Sequence, residues 1–172
     1  MAIENDLSRE TTDQAISCLR YGCGKIEHCL NQLDDQQIWW RPAEDMNSIG
    51  NLLLHLAGNL RQWVVSGVGD AVDTRQRQLE FDERRLIPKS EVWRRLADVV
   101  DEATTALQSA SAEELLSKKR VQGNTVTKLG AMMHSVTHFQ GHVQEIICLT
   151  RQQLGDRYEM QWEPKTKEEG AN

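Results

Sequence analysis

Long apolar runs are missing from this chain. No stretch approaches the roughly 18 residues that a membrane-spanning helix needs, which excludes an integral membrane helix. The opening Met-Ala-Ile-Glu-Asn-Asp has neither the basic start nor the apolar core of a secretory signal, so the expected address is cytoplasmic. An excess of basic charge is also missing. The formal net charge is -6, which argues against a protein whose main task is gripping nucleic acid, because that task needs a basic face. There is no Cys-x-x-Cys among Cys18, Cys23, Cys29 and Cys148, so neither a zinc knuckle nor a thioredoxin-like site is written here. Cys18 and Cys29 share one face of a predicted helix about 16 Å apart, beyond the Cα separation of about 7 Å that a disulfide tolerates. Reduced, mostly packed thiols are expected.

Prolines number only 3 and glycines 11, and apolar residues recur at helical rather than alternating spacing, so the chain reads as all-α. Its 172 residues suit a single domain that buries roughly 70% of its unfolded surface. The first helix is expected from about Leu7 to Leu33, carrying Ile16, Leu19, Ile26, Leu30 and Leu33, with Gly22 and Gly24 as weak points or close-packing positions. The connector Ile38-Trp39-Trp40-Arg41-Pro42 is read as non-helical. A second helix opens after Asn47 or Ser48 and runs through Leu52, Leu53, Leu56, Leu60 and Val64 until Gly67 and Gly69 end it. From Asp70 to Lys89 the residues are polar and charge-mixed without a period, which reads as a long solvated connection.

Ser90 begins a third helix with Pro88 just upstream, striped by Val92, Leu96, Val99, Val100, Ala103 and Leu107. Ser111 and Glu114 form a capping box for a short extra turn before Lys118-Lys119-Arg120, read as a solvated loop. The last helix is expected from near Thr125 to about Leu154. Four long amphipathic helices must bury their stripes against one another, and a four-helix bundle does so economically. About 20 residues between helices two and three can span a helix length, so those helices are expected to run parallel, with a crossover connection. The domain is placed at residues 1–155, and 156–172 is a partly ordered tail, polar apart from Trp162.

Three of the five histidines fall on the last helix, at His134, His138 and His142. Each step of four residues advances about 40° around a helix and rises about 6 Å, so neighbouring pairs share a face and can share one metal ion. Val136, Phe139, Val143 and Ile146 surround His138 and His142, turning part of that face into the bundle. His55 lies in the apolar run Leu52-Leu53-Leu54-His55-Leu56-Ala57, where an imidazole is costly unless satisfied. Backbone or Asn59 could satisfy it; paired with a His-x-x-x-His on a facing helix, it points instead to a shared metal site. Glu145, about 20° from His138 in projection, is a candidate base or an acceptor for a ligand. His134 is a further candidate contributor, and His28 is read as a surface or partly buried residue. A ferritin-like di-iron site is excluded, since no histidine has a glutamate three residues before it. Covalently attached haem and nucleophile-elbow hydrolysis also lack their motifs.

The segments Asn47-Ser-Ile-Gly-Asn-Leu-Leu-Leu-His55-Leu-Ala-Gly-Asn-Leu-Arg-Gln-Trp63 and Val136-Thr-His138-Phe-Gln-Gly-His142-Val-Gln-Glu-Ile146, with Trp39-Trp40-Arg41-Pro42, resemble the DinB/YfiT-like superfamily, in its branch of small DinB-like domains of unknown function. The resemblance spans roughly residues 5 to 155. It implies a DinB-like four-helix bundle with a crossover, often a homodimer, and a divalent metal on His55, His138 and His142. Relatives of known activity include thiol-dependent S-transferases and a maleylpyruvate isomerase. Gln144-Glu145 stand where members usually have Gly-Gln, so no specific activity carries over.

Two functions are expected from these readings. One is an enzyme whose three histidines leave a metal position open, acting on a small-molecule substrate such as a low-molecular-weight thiol, or as a hydrolase. Zinc, nickel, copper and iron all suit three imidazoles, with zinc or nickel placed first. The other is a non-catalytic metal-binding or stress-associated interaction module, motivated by Trp39, Trp40, Trp162 and the basic triplet. Neither nucleic acid nor membrane is an expected partner.

Overall fold

A computed structural model describes residues 2–161 of the protein. Four long helices carry the fold: α1 (Ala2–Asn31), α2 (Ile49–Leu60), α4 (Lys89–Ser109) and α6 (Lys128–Leu154). Between them lie the short helices α3 (Arg77–Asp82) and α5 (Ala112–Leu116) and the strands β1 (Lys118–Val121) and β2 (Asn124–Thr127). Trp162 and the rest of the expected tail lie outside the described residues.

The apolar stripes meet in one core. Leu19 and Ile26 of α1, Leu52, Leu53, Leu56 and Leu60 of α2, Leu96 and Leu107 of α4, and Met132 and Phe139 of α6 are all essentially inaccessible to water. Helix directions follow from the side-chain pairs. Asn59 meets Ser135 while His55 meets His138, so α2 and α6 are antiparallel. Lys89 reaches the carbonyl of Leu30, and a surface cleft joins Asp6 to Gln108, so α1 and α4 are antiparallel. Arg61 pairs with Glu102 near the far ends of α2 and α4, which makes those two parallel, as expected from the length of the connection. The order is a bundle with a crossover between its second and third long helices.

Helix ends follow local chemistry. Ser48 caps α2, its Oγ accepting from the backbone N–H of Asn51 (3.2 Å) while its own backbone N–H donates to Asn51 Oδ1 (3.2 Å). Past Leu60 the helix widens into a π-helical turn over Arg61–Ser66 before ending at Gly67. Helix α1 begins earlier than expected and stops two residues short of Leu33, where the chain turns through Gln37–Trp39. Trp39 is buried and donates from Nε1 to the carbonyl of Ile87 (2.8 Å); Trp40 is 41% exposed. Cys29 is buried, whereas Cys18 and Cys148 are exposed, so the thiols are free but only partly packed.

Two segments differ from expectation. Lys118-Lys119-Arg120 is not a loop but strand β1, antiparallel to β2 with Val121 opposite Asn124 across a two-residue turn. Gln122 and Gly123 both take positive φ there (49° and 81°), the backbone that tight hairpins favour. Val121 then packs with Trp63 and Ala131, fixing the hairpin between the end of α2 and the start of α6. The connection 70–88 is not wholly solvated either: it holds α3, buries Glu80, and lies along α2.

Candidate metal centre

His55 stands halfway along α2, 5% exposed, and faces His138 and His142 on consecutive turns of α6, both half-buried. The ring centroids are 5.0 Å (His55 and His138), 5.1 Å (His55 and His142) and 4.5 Å (His138 and His142) apart. One nitrogen from each ring lies within 4.8 Å of the other two. His55 Nε2 and His138 Nε2 approach to 2.9 Å, a separation that two bare lone pairs cannot share without a proton or a cation between them. One turn away, Ser135 Oγ donates to Asn59 Oδ1 (2.8 Å) and locks the register of the two helices. Asn59 is therefore not the partner of His55.

That partner comes from the crossover connection. The Nδ1–H of His55 donates to Glu80 Oε2 (2.9 Å), which leaves the Nε2 lone pair aimed at the other histidines. Arg75 clasps the same carboxylate, Nε to Oε1 and Nη2 to Oε2, each at 2.7 Å, with its own side chain only 2% exposed. Gln62 Oε1 accepts from Arg75 Nη1 (3.0 Å), and Gln62 Nε2 donates to Asp73 (2.7 Å). Asn51 Nδ2 donates to the carbonyl of Glu80 (2.8 Å), holding the backbone while His55 holds the side chain. At Gly58 there is no room for a β-carbon, because the Glu80 carboxyl occupies the space.

On α6 the Nδ1–H of His142 donates to Glu145 Oε2 (2.7 Å), so a second imidazole is oriented by a carboxylate, here 42% exposed. Burial holds the His55 imidazolium pKa below its usual value, against the pull of Glu80. Burial, followed by the neighbouring His142 and His55, lowers His138 to about 4. Burial opposes ionisation of Glu80, yet the hydrogen bonds from Arg75 and His55 leave its pKa below the usual carboxylate value. At neutral pH His55 and His138 are thus held uncharged, with the Glu80 carboxylate behind His55, the protonation state metal binding demands.

His134 is exposed and outside the cluster; its ring stacks on that of His138 (5.9 Å, 10° between planes) and rests on Trp63 (4.1 Å). His28 is remote, its Nε2 at 2.7 Å from the carbonyl of Glu159. Phe81 packs 4.8 Å from the His55 ring, and the Arg77 guanidinium lies 4.7 Å from the Phe81 ring.

Sequence reasoning missed Arg75, Glu80, Asn51, Gly58 and Gln62. A signal existed in α2: Asn51, His55, Gly58 and Gln62 follow i, i+4, i+7, i+11 spacing, a polar line through an apolar helix. Such a line requires polar partners, and the charged connection that follows supplies them.

Residues 6–167 match the family described as "Protein of unknown function (DUF1572)". No curated protein matches the chain. Among solved structures, it resembles a conserved protein from Enterococcus faecalis with a TM-score of 0.69 at 16% identity, over 81% of this chain and 95% of that one. It also resembles a DinB-like protein from Bacillus cereus ATCC 10987 with a TM-score of 0.66 at 15% identity, over 82% of this chain and 91% of that one.

Proposed function

The chain belongs to the DUF1572 family and has the DinB-like fold, and since no activity comes with either, we propose one from its site: a divalent-metal-dependent enzyme acting on a small molecule. Supporting this reading above all is the convergence of His55, His138 and His142 from two helices with one nitrogen each within 4.8 Å. The donor set fits a borderline transition metal such as zinc or nickel, and neutral nitrogen donors disfavour calcium and magnesium. His55, His138 and His142 are the residues that would hold it. Held by these three histidines, such an ion would supply Lewis-acid chemistry to a thiol or a water at a remaining position.

The chain's own residues hold this centre ready. Glu80 and Glu145 fix the proton on Nδ1 of His55 and His142 and leave Nε2 free. Arg75 balances the buried Glu80 charge. Phe81 sets an apolar ring beside His55. Thiol transfer to an electrophile is the first reaction class in this reading and hydrolysis the second. The reading as an interaction module loses one motive, since Trp39 is a core residue.

Elemental analysis of untagged protein, purified without added metal, tests the first half of the reading. About one zinc, nickel or similar ion per chain is expected, and loss of it in His55→Ala and His138→Ala. A panel of low-molecular-weight thiols with electrophiles, and of hydrolysable esters and amides, tests the second. Turnover by parent and His55→Ala that does not differ across the panel would sink the enzymatic reading.

A further inference from the structure

The polar line of α2 continues one turn beyond Gln62 to Ser66, and there the pattern of partners stops. Asn51, His55 and Gln62 each have a hydrogen-bond partner on the crossover connection. Ser66 is 4% exposed, and its Oγ has no partner among the described residues. It lines a cleft of about 210 Å³ between the π-helical turn, the start of the connection and strand β1, with Gln62, Asp73, Lys119, Arg120 and Val121. A buried hydroxyl without a partner is unfavourable, and the surroundings suggest what offsets it.

The charges around the cleft favour an anion. Arg120 has no ion-pair partner among the described residues. Lys119 Nζ lies 2.6 Å from Asp70, which also has Lys128 at 2.5 Å, so Lys119 can turn to a ligand without leaving Asp70 uncompensated. Asp73 is the one carboxylate on the lining. Its Oδ2 accepts from Gln62 and its Oδ1 from the backbone N–H of Arg75 (3.0 Å), so both oxygens are already engaged on the connection side. Counting Lys119, Arg120 and Lys128 against Asp70 and Asp73 leaves one positive charge in excess. Gln62 is committed as well: its amide spans Asp73 and Arg75 and forms the wall between the cleft and the histidine cluster.

We propose that this cleft binds a compact oxyanion group, a phosphate or carboxylate of a small molecule, held by Arg120 and Lys119 and by a hydrogen bond donated by Ser66. The site is separate from the three histidines and does not depend on a metal.

The test is a titration of full-length, metal-stripped protein, followed by backbone amide NMR, with inorganic phosphate in one arm and acetate in the other, each at constant ionic strength against sodium chloride. Saturating shifts centred on Ser66, Lys119 and Arg120 in either arm support the proposal, and the arm that saturates identifies the oxyanion. Ser66→Ala and Arg120→Gln are each expected to weaken binding by about tenfold. Arg120 is exposed, so Arg120→Gln keeps the test decisive if Ser66→Ala fails to fold. Shifts that rise linearly, match those with chloride, or persist unchanged in Arg120→Gln would overturn it. Because the protein is stripped, such a failure leaves the metal reading untouched, and loss of metal binding leaves this one untouched.

Discussion

The carboxyl of Glu80 fills the space that a β-carbon on residue 58 would take, and it can reach His55 only because residue 58 is glycine. Gly58→Ala is therefore expected to push Glu80 off His55 and to weaken zinc or nickel binding by about 10–100-fold, the usual cost of losing such a support. Glu80→Gln should cost a similar factor, and the double variant little more than either. Competition against a chromophoric chelator measures all three; additive losses would show that the two residues act separately. Glu145→Gln should cost only a few-fold, since its carboxylate is 42% exposed.

Arg75 and Glu80 form a buried ion pair, with side chains 2% and 10% exposed. Removing one partner strands the other's charge, so Arg75→Ala is expected to lower stability by about 3 kcal/mol. Arg75→Met combined with Glu80→Leu should recover much of that loss, as paired apolar replacements do. Urea denaturation at neutral pH reads both; a double variant no more stable than Arg75→Ala would refute the ion-pair account.

The helices, their order and the parallel crossover were legible because apolar spacing and connection length report burial and reach directly. His55, His138 and His142 were legible as a group because imidazoles in apolar helical runs need partners. Glu80 and Arg75 were not. They sit in a stretch without period, where a buried charge looks like its solvated neighbours until the fold supplies its opposite. The hairpin was hidden for a related reason: Lys118-Lys119-Arg120 carries one buried position, Val121, immediately after it, too little to set an alternating pattern.

Gly22 and Gly24 looked alike in sequence and differ in the fold. A β-carbon at residue 22 would meet Phe139 at 2.7 Å and Val143 at 3.0 Å, whereas one at residue 24 meets nothing within 4 Å. Gly22→Ala is expected to destabilise by about 1–3 kcal/mol through overpacking. Gly24→Ala should stabilise by about 0.5–1 kcal/mol, because alanine suits a helix interior better. Thermal unfolding of the two variants side by side should therefore move Tm in opposite directions.

Acid should weaken the metal-free protein before its carboxylates titrate. Burial lowers His138 to about 4 from its usual 6.5, and His55 is lowered in the same direction. The unfolded chain therefore takes up protons first as pH falls below 6.5, and the stability present above that pH is lost progressively towards pH 4. Tm should drop by several degrees between pH 7.5 and pH 5, and less in His138→Gln. An unchanged Tm across that interval would contradict the cluster's enforced neutrality.

The facing histidines 55 and 138 are separated by 83 positions in the chain. No local segment, and neither half of the molecule alone, can assemble the cluster; it exists only when the first and last thirds of the bundle have closed on each other. An ion that binds there discriminates between native and denatured molecules as wholes, so its concentration should set the resistance of every helix to proteolysis together. The centre is a latch on the entire architecture.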